Sequence, residues 1–258
     1  MVNIIKGPVE RKVKGLSGST LKWIAIITML IDHTGAILVN QSLGEKIIEI
    51  CHITEVSKVN AILEMIPHIY MAMRMIGRIA FPIFCFLLVQ GFIHTRNVKS
   101  YAVRLGLFAL LSEIPFDLAL NGTPFYWQYN NVFFTLLCGL LVMIGLEALD
   151  EKMHIKEMEK IILKIIVVGL GMLVATLLHT DYSWIGVLCI ILLYITRNNK
   201  RNQIIMGCAG FSFELAALLA FIPIGFYNGK RGMNMKYFFY AFYPVHLFIL
   251  YLVKLLII

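Results

Sequence analysis

The sequence predicts an all-α fold, a polytopic membrane helix bundle with about eight transmembrane helices, and three observations carry that prediction. The chain is 59% hydrophobic and only 15% charged, with a mean hydropathy of +0.80, whereas a soluble domain is roughly 25% charged. Several apolar runs approach or exceed the ~18 residues that span a bilayer core. No polar stretch between them is long enough to bury a core of its own. Residues 21–258 therefore read as a single transmembrane domain behind a basic segment at 1–20.

The first apolar run, Leu21 to Val39, is too long for a signal-peptide core and runs into VNQSLGEK rather than a small-residue cleavage site. It reads as a retained helix at 21–39. The next segment, EKIIEICHITEVSKVNAILEMI, interleaves apolar positions with charges, as expected of an amphipathic helix lying on the surface. Further apolar periods place helices at about 68–93, 98–120, 131–149, 160–178, 183–196, 203–227 and 236–258.

On that count RKVK, HTRNVKS, EKMHIKEMEK and TRNNKR share one side, which the positive-inside rule makes cytoplasmic, with both termini there. NGKRGMNMK disagrees, because Lys230, Arg231 and Lys236 fall on the other side. The net charge of +8 belongs to such loops, and nucleic acid is not an expected partner. The five cysteines mostly lie in apolar runs without a C-x-x-C pair, so neither a disulfide framework nor a metal site is indicated. No internal repeat is visible, which counts against an inverted-repeat transporter.

Burying an ionisable group at a helix centre costs ~2.5–3.5 kcal/mol on insertion scales, so several in one bundle must pair or face water. Helix 21–39 holds Asp32 and His33, and 68–93 holds Arg74 and Arg78 in RMIGRIAFPIF. Helix 98–120 holds Glu113 and Asp117 in SEIPFD, 203–227 holds Glu214, and the last helix holds His246 in FYPVHLF. At ~1.5 Å of rise per residue, these groups, with Asn130, Asn131, Asp181 and Tyr182, converge toward the outer face. Helix glue scattered through a bundle does not share one depth.

Arg74 and Arg78 are i,i+4 and share a face, as do Glu113 and Asp117. Arginines opposite acids on another helix would neutralise both pairs, or the two arginines could clamp a phosphate or carboxylate. Pro82, Pro115 and Pro244 free the carbonyls of Arg78, Leu111 and Tyr240, and broken backbone at membrane depth suits a lined cavity. The plainer reading of Asp32, His33 and the arginines is interhelical bonding. His52, His68, His94, His154 and His179 read as solvated, and PFYWQYNN reads as an interfacial aromatic belt.

The stretches LSGSTLKWIAIITMLIDHTGA, RMIGRIAFPIFCFLLVQGFIHTRNVKSYAVRLGLFALLSEIPFDLA, NNVFFTLLCGLL, DYSWIGVL and KYFFYAFYPVHLFILYL together resemble the TraX family, which includes conjugative-pilin acetylases. That family is in turn similar to the acyltransferase-3 membrane acetyltransferases, in which a basic residue precedes a histidine by eleven positions and paired arginines follow. Lys22 and His33 have that spacing, with lysine in place of the usual arginine.

The resemblance implies transfer of an acetyl group from cytosolic acetyl-CoA to an amine or hydroxyl at the outer side of a bacterial plasma (inner) membrane. It implies His33 as general base, Arg78 and Arg74 at the developing oxyanion and Asp32 beside them. Lys22, Glu113, Asp117, Asn131, Tyr182 and His246 would bind donor or acceptor. The expected partners are acyl-CoA, membrane lipid and an acceptor of unspecified chemistry: peptide amine, sugar or lipid-linked.

A proton- or ion-coupled transporter is the alternative, since buried Asp, Glu, Arg and His also build relays. A structural subunit would leave the convergence unexplained, and GFSFE around Ser212 lacks the small residue of a nucleophile elbow. Neighbours on a helix point about 100° apart. His33 is thus expected on the stripe Lys22, Ile26, Met29, along which an acyl donor could lie, and Asp32 toward the arginines.

Overall fold

A chain that must satisfy its backbone polar groups away from water is restricted to helices or closed barrels. The computed structural model describes residues 15–39, 41–151 and 156–257, which are mostly helical with no strands. RKVK, and residues 152–155 with His154, lie outside the described residues.

Helix α1 (Gly18–Leu38) is capped by Ser17, whose hydroxyl accepts from the Thr20 N–H at 3.2 Å. A short amphipathic α2 (Gln41–Ile50) follows, then α3 (Val56–Gly77) and α4 (Ala80–His94). Helix α5 (Val98–Asn121) starts at Asn97, which accepts from Ser100 N–H at 2.8 Å, and stops at Gly122 in the left-handed region, φ 71°. Next come α6 (Val132–Asp150), α7 (Glu157–Leu177) and α8 (Ser183–Ile195). After them lie α9 (Lys200–Gly210), a 3₁₀ stretch (Leu215–Ala220), α10 (Phe221–Gly225) and α11 (Lys236–Ile257).

Two expectations fail. The predicted surface segment is real only as α2. From Val56 the chain is already in the helix predicted to begin at 68, and that helix breaks at Arg78–Ile79. Lys58 and Glu64 do not stop a helix; they only need water around it. The 39 residues from Val56 to His94 would reach ~58 Å, about twice a bilayer core, so the first turns of α3 stand beyond the apolar layer. The break lies where Pro82 withholds the N–H that would bind the Arg78 carbonyl.

The predicted helix at 203–227 is a hairpin that enters and returns. Helix α9 ends at Gly210, Glu214 is extended (φ −129°, ψ 95°), and the 3₁₀ stretch and α10 run back. The return is fixed by contacts. Lys200 Nζ donates to the Tyr227 carbonyl at 2.9 Å. Leu16 N–H donates to Phe226 O and Gly18 N–H to Lys230 O, both at 2.8 Å. Residues 226–231 therefore lie at the start of α1. Hydropathy cannot separate an apolar segment that crosses from one that turns back.

Among the described residues the chain thus crosses the bundle seven times, by α1, α3–α4, α5, α6, α7, α8 and α11, rather than eight. Five of these spans are long and apolar enough to cross a membrane on length and composition alone. The loop 228–236 joins the other basic loops at one end, which removes its disagreement. Helix α11 runs parallel to α1, with Lys22 over the Phe239 ring at 5.2 Å near one end and His33 meeting His246 farther along. Gly15 and Ile257 consequently lie at opposite ends, against the expectation of both termini on one side.

The main core joins α1, α4, α5, α6, α8 and the hairpin. A second cluster packs Ile26, Met29 and Ile37 of α1 against Phe116 of α5 and Tyr243 and Leu247 of α11. Cys85, Cys138 and Cys189 are buried as packing residues, whereas Cys51 is exposed.

Candidate functional site

Asp32 and His33 go to different partners. Asp32 Oδ2 accepts from Arg74 Nη1 at 2.5 Å, the side chains being 15% and 23% exposed. The approach depends on Gly77, because a β-carbon there would overlap the Asp32 carboxyl. Asp32 Oδ1 is buried and makes no hydrogen bond. Arg78, at the break between α3 and α4, pairs through Nη1 with Glu214 Oε1 at 3.0 Å, and the same nitrogen lies 3.5 Å from the Tyr182 hydroxyl. Glu214 sits where the hairpin turns. Tyr182 is in the left-handed region at φ 63°, its ring stacked on Phe81 with centroids 3.7 Å apart.

His33 turns toward α11. Its Nδ1 is 2.7 Å from His246 Nε2, the two rings are near-parallel at 17° with centroids 5.0 Å apart, and Tyr243 stands edge-on to His33 at 5.8 Å. His33, Asp32, Arg74, Arg78, Tyr182 and His246 therefore meet in the half of the bundle away from the basic end. Tyr129 and Asp181 extend the cluster: the tyrosine hydroxyl donates to Asp181 Oδ1 at 2.9 Å. The loop after α7 and the loop before α6 are stitched by Asn130 N–H to His179 O at 2.9 Å and Asp181 N–H to Asn130 O at 2.8 Å.

The other expected site residues have different employment. Glu113 does not face the arginines; its Oε2 accepts from the Asn131 side chain and from Asn131 N–H, the latter at 3.3 Å. Asn131 also donates to Ala109 O at 2.8 Å and caps α6 by accepting from Phe133 N–H at 3.0 Å. Asp117, fully buried, accepts from Tyr126 N–H at 2.7 Å and holds the aromatic loop. Lys22 lies three turns from His33, about 16 Å along α1, at the basic end. The stripe Lys22, Ile26, Met29, His33 is covered by Phe239, Tyr243 and His246 of α11, so no donor lies along it in this arrangement.

The arginines thus find their acids in Asp32 and Glu214, not in Glu113 and Asp117. A lone glutamate in an apolar segment signalled Glu214, and a glycine one position before Arg78 signalled the close approach. His52, His68, His94 and His179 are exposed.

A comparison with known families then places the chain. The TraX protein family matches residues 17–254. This chain belongs to the TraX family. The TraX match runs from the cap of α1 to Lys254 and takes in every residue of the cluster. Over 265 aligned residues the chain is 26% identical to a Dichelobacter nodosus protein described as probable fimbrial assembly protein FimC, serogroup H1, covering 91% of this chain and 94% of that one. No solved structure matches.

Proposed function

We propose that this TraX protein is a plasma-membrane acetyltransferase. It would move an acetyl group from cytosolic acetyl-CoA to an amine or hydroxyl acceptor presented at the opposite face, a pilin-like peptide N-terminus or a cell-envelope component. The observation that carries the reading is a histidine at one depth with two arginines, each held by its own carboxylate. The printed description of the Dichelobacter nodosus relative, a fimbrial assembly protein, favours a fimbrial subunit as acceptor. The basic loops mark the cytoplasmic end.

In this mechanism the acceptor's nitrogen or oxygen attacks the thioester carbonyl carbon as His33 takes its proton. The new C–N or C–O bond forms, the C–S bond breaks, and the leaving thiolate receives the proton from His33, which regenerates the base. Arg78 and Arg74 use one guanidinium nitrogen each on a carboxylate or hydroxyl, and their remaining N–H groups are donors for the carbonyl oxygen as it gains charge. Lys22 with Arg231 at the basic end suits the donor's phosphates. Because α11 covers the stripe between Lys22 and His33, the donor's arm would have to part the α1–α11 seam to reach the histidine.

The test is transfer of labelled acetyl from acetyl-CoA into a cell-envelope extract by purified protein in detergent. Transfer is expected from the native chain and lost in His33→Ala; near-normal transfer by a folded His33→Ala protein would falsify the assignment. A transporter is the second reading, favoured by a hairpin that turns at membrane depth beside ion pairs. CoA should raise the melting temperature of an enzyme that binds it and not that of a transporter.

A further inference from the structure

We infer that His246 is a positioning residue that fixes the tautomer of His33, holding the proton on Nδ1 and leaving Nε2 bare to act as base. The inference deepens the acetyl-transfer reading and takes its chemical meaning from it, but the tautomer itself follows from hydrogen-bond bookkeeping alone. His246 Nδ1 lies 2.7 Å from the Phe242 carbonyl. A carbonyl only accepts, so Nδ1 of His246 carries the hydrogen. A neutral imidazole has one N–H, which makes Nε2 of His246 an acceptor. That acceptor is 2.7 Å from Nδ1 of His33, so His33 must donate there, and its lone pair is left on Nε2.

The packing makes the arrangement specific. His246 is 5% exposed. Its ring is stacked on Phe242, at 4.8 Å between centroids, and is near-parallel to His33, at 5.0 Å and 17°, the nitrogen-to-nitrogen contact joining their edges, while Tyr243 stands edge-on at 5.7 Å. Turning either ring over would place a C–H where a nitrogen now bonds. The partner also suits the charged state. When Nε2 of His33 takes the acceptor's proton, the ring becomes an imidazolium whose Nδ1–H still points at a lone pair. His246 neither touches substrate nor needs to change protonation. His246 thus orients the base, in place of the substrate-binding role that the TraX resemblance implies.

The tautomer is read by nitrogen NMR of protein labelled at its histidines and held in detergent, the His33 signals being those lost in His33→Gln. A hydrogen on Nδ1 and a bare Nε2 are expected in the native chain. His246→Gln, whose side-chain oxygen can accept in place of Nε2, should keep that state and most of the turnover. His246→Leu should release the ring to the other tautomer and lower kcat for acetyl transfer by about 100-fold, the lower end of a general base's contribution, with KM for acetyl-CoA unchanged. A native His33 carrying hydrogen on Nε2, or an unchanged tautomer in His246→Leu, overturns the inference. If His246→Leu does not fold, the native spectrum and His246→Gln decide it. The expected tautomer in a protein without acetyl transfer upholds the assignment of His246 and overturns the enzymatic reading.

Discussion

Replacing Gly77 by alanine probes the closest approach in the bundle. The added methyl would collide with both the carboxyl and the β-carbon of Asp32, so a simple swing of the carboxylate does not make room. Helices α1 and α3 must separate or the Asp32–Arg74 pair must break. Forcing a methyl into a packed site costs about 1–3 kcal/mol. Disturbing a partly buried ion pair adds on the order of 1 kcal/mol, since full loss of a buried partner costs about 3–5 and these side chains keep some exposure. The sum, about 2–4 kcal/mol, corresponds to a fall in melting temperature of roughly 4–16 °C for a chain of this size.

Gly169→Ala is the matched control. It lies on an exposed face of α7 with no atom within 4 Å of its added carbon, and alanine there should be neutral or gain up to about 1 kcal/mol of helix propensity. Thermal unfolding in detergent, followed by loss of the monodisperse peak, reads both. Asp32→Gly, which lacks both the carboxyl and the β-carbon, in the Gly77→Ala background should cost less than the sum of the two single changes, because the collision is gone. Equal melting of the Gly77→Ala and Gly169→Ala proteins, or additivity within about 0.5 kcal/mol, would refute the described seam.

Two further outcomes are expected. Asn131→Ala removes the cap of α6 and the side-chain donor to Glu113, leaving the backbone donor in place, so about 0.5–2 kcal/mol for the cap and about 1 for the lost side-chain hydrogen bond should appear as a lower melting temperature, with Asn131→Asp recovering only the cap. In a Cys51→Ser background, an impermeant thiol reagent applied to intact cells should label Gly122→Cys but not Gly229→Cys. Labelling of Gly229→Cys would return the hairpin to a full crossing.

What was legible in the sequence is what depends on composition and local spacing. Long apolar runs place α1, α5, α6, α7 and α11 within a few residues. The i,i+4 arginines, and the 100° between Asp32 and His33, foretell that one acid turns to the arginines and the histidine turns away. What was illegible depends on long-range pairing. Nothing local says that Glu214, rather than Glu113, reaches Arg78, because both are acids set among apolar residues. Whether 203–227 crosses or turns back is decided by Leu16, Gly18 and Lys200 binding residues 226–230, contacts between residues as far apart in sequence as Gly18 and Lys230. The basic loop 228–236 was the one clue, and an odd number of crossings is its explanation.

The pairing of His33 with His246 also orders events in time. The first helix is made early and the last helix, with its histidine, is made 213 residues later. Until α11 slides in beside α1, Nδ1 of His33 has no designated acceptor, and the stripe it will seal stands open to lipid. A chain that has not yet added α11 therefore carries the arginines and His33 but lacks the partner of the His33 ring. The cluster is complete only once α11 has joined the bundle.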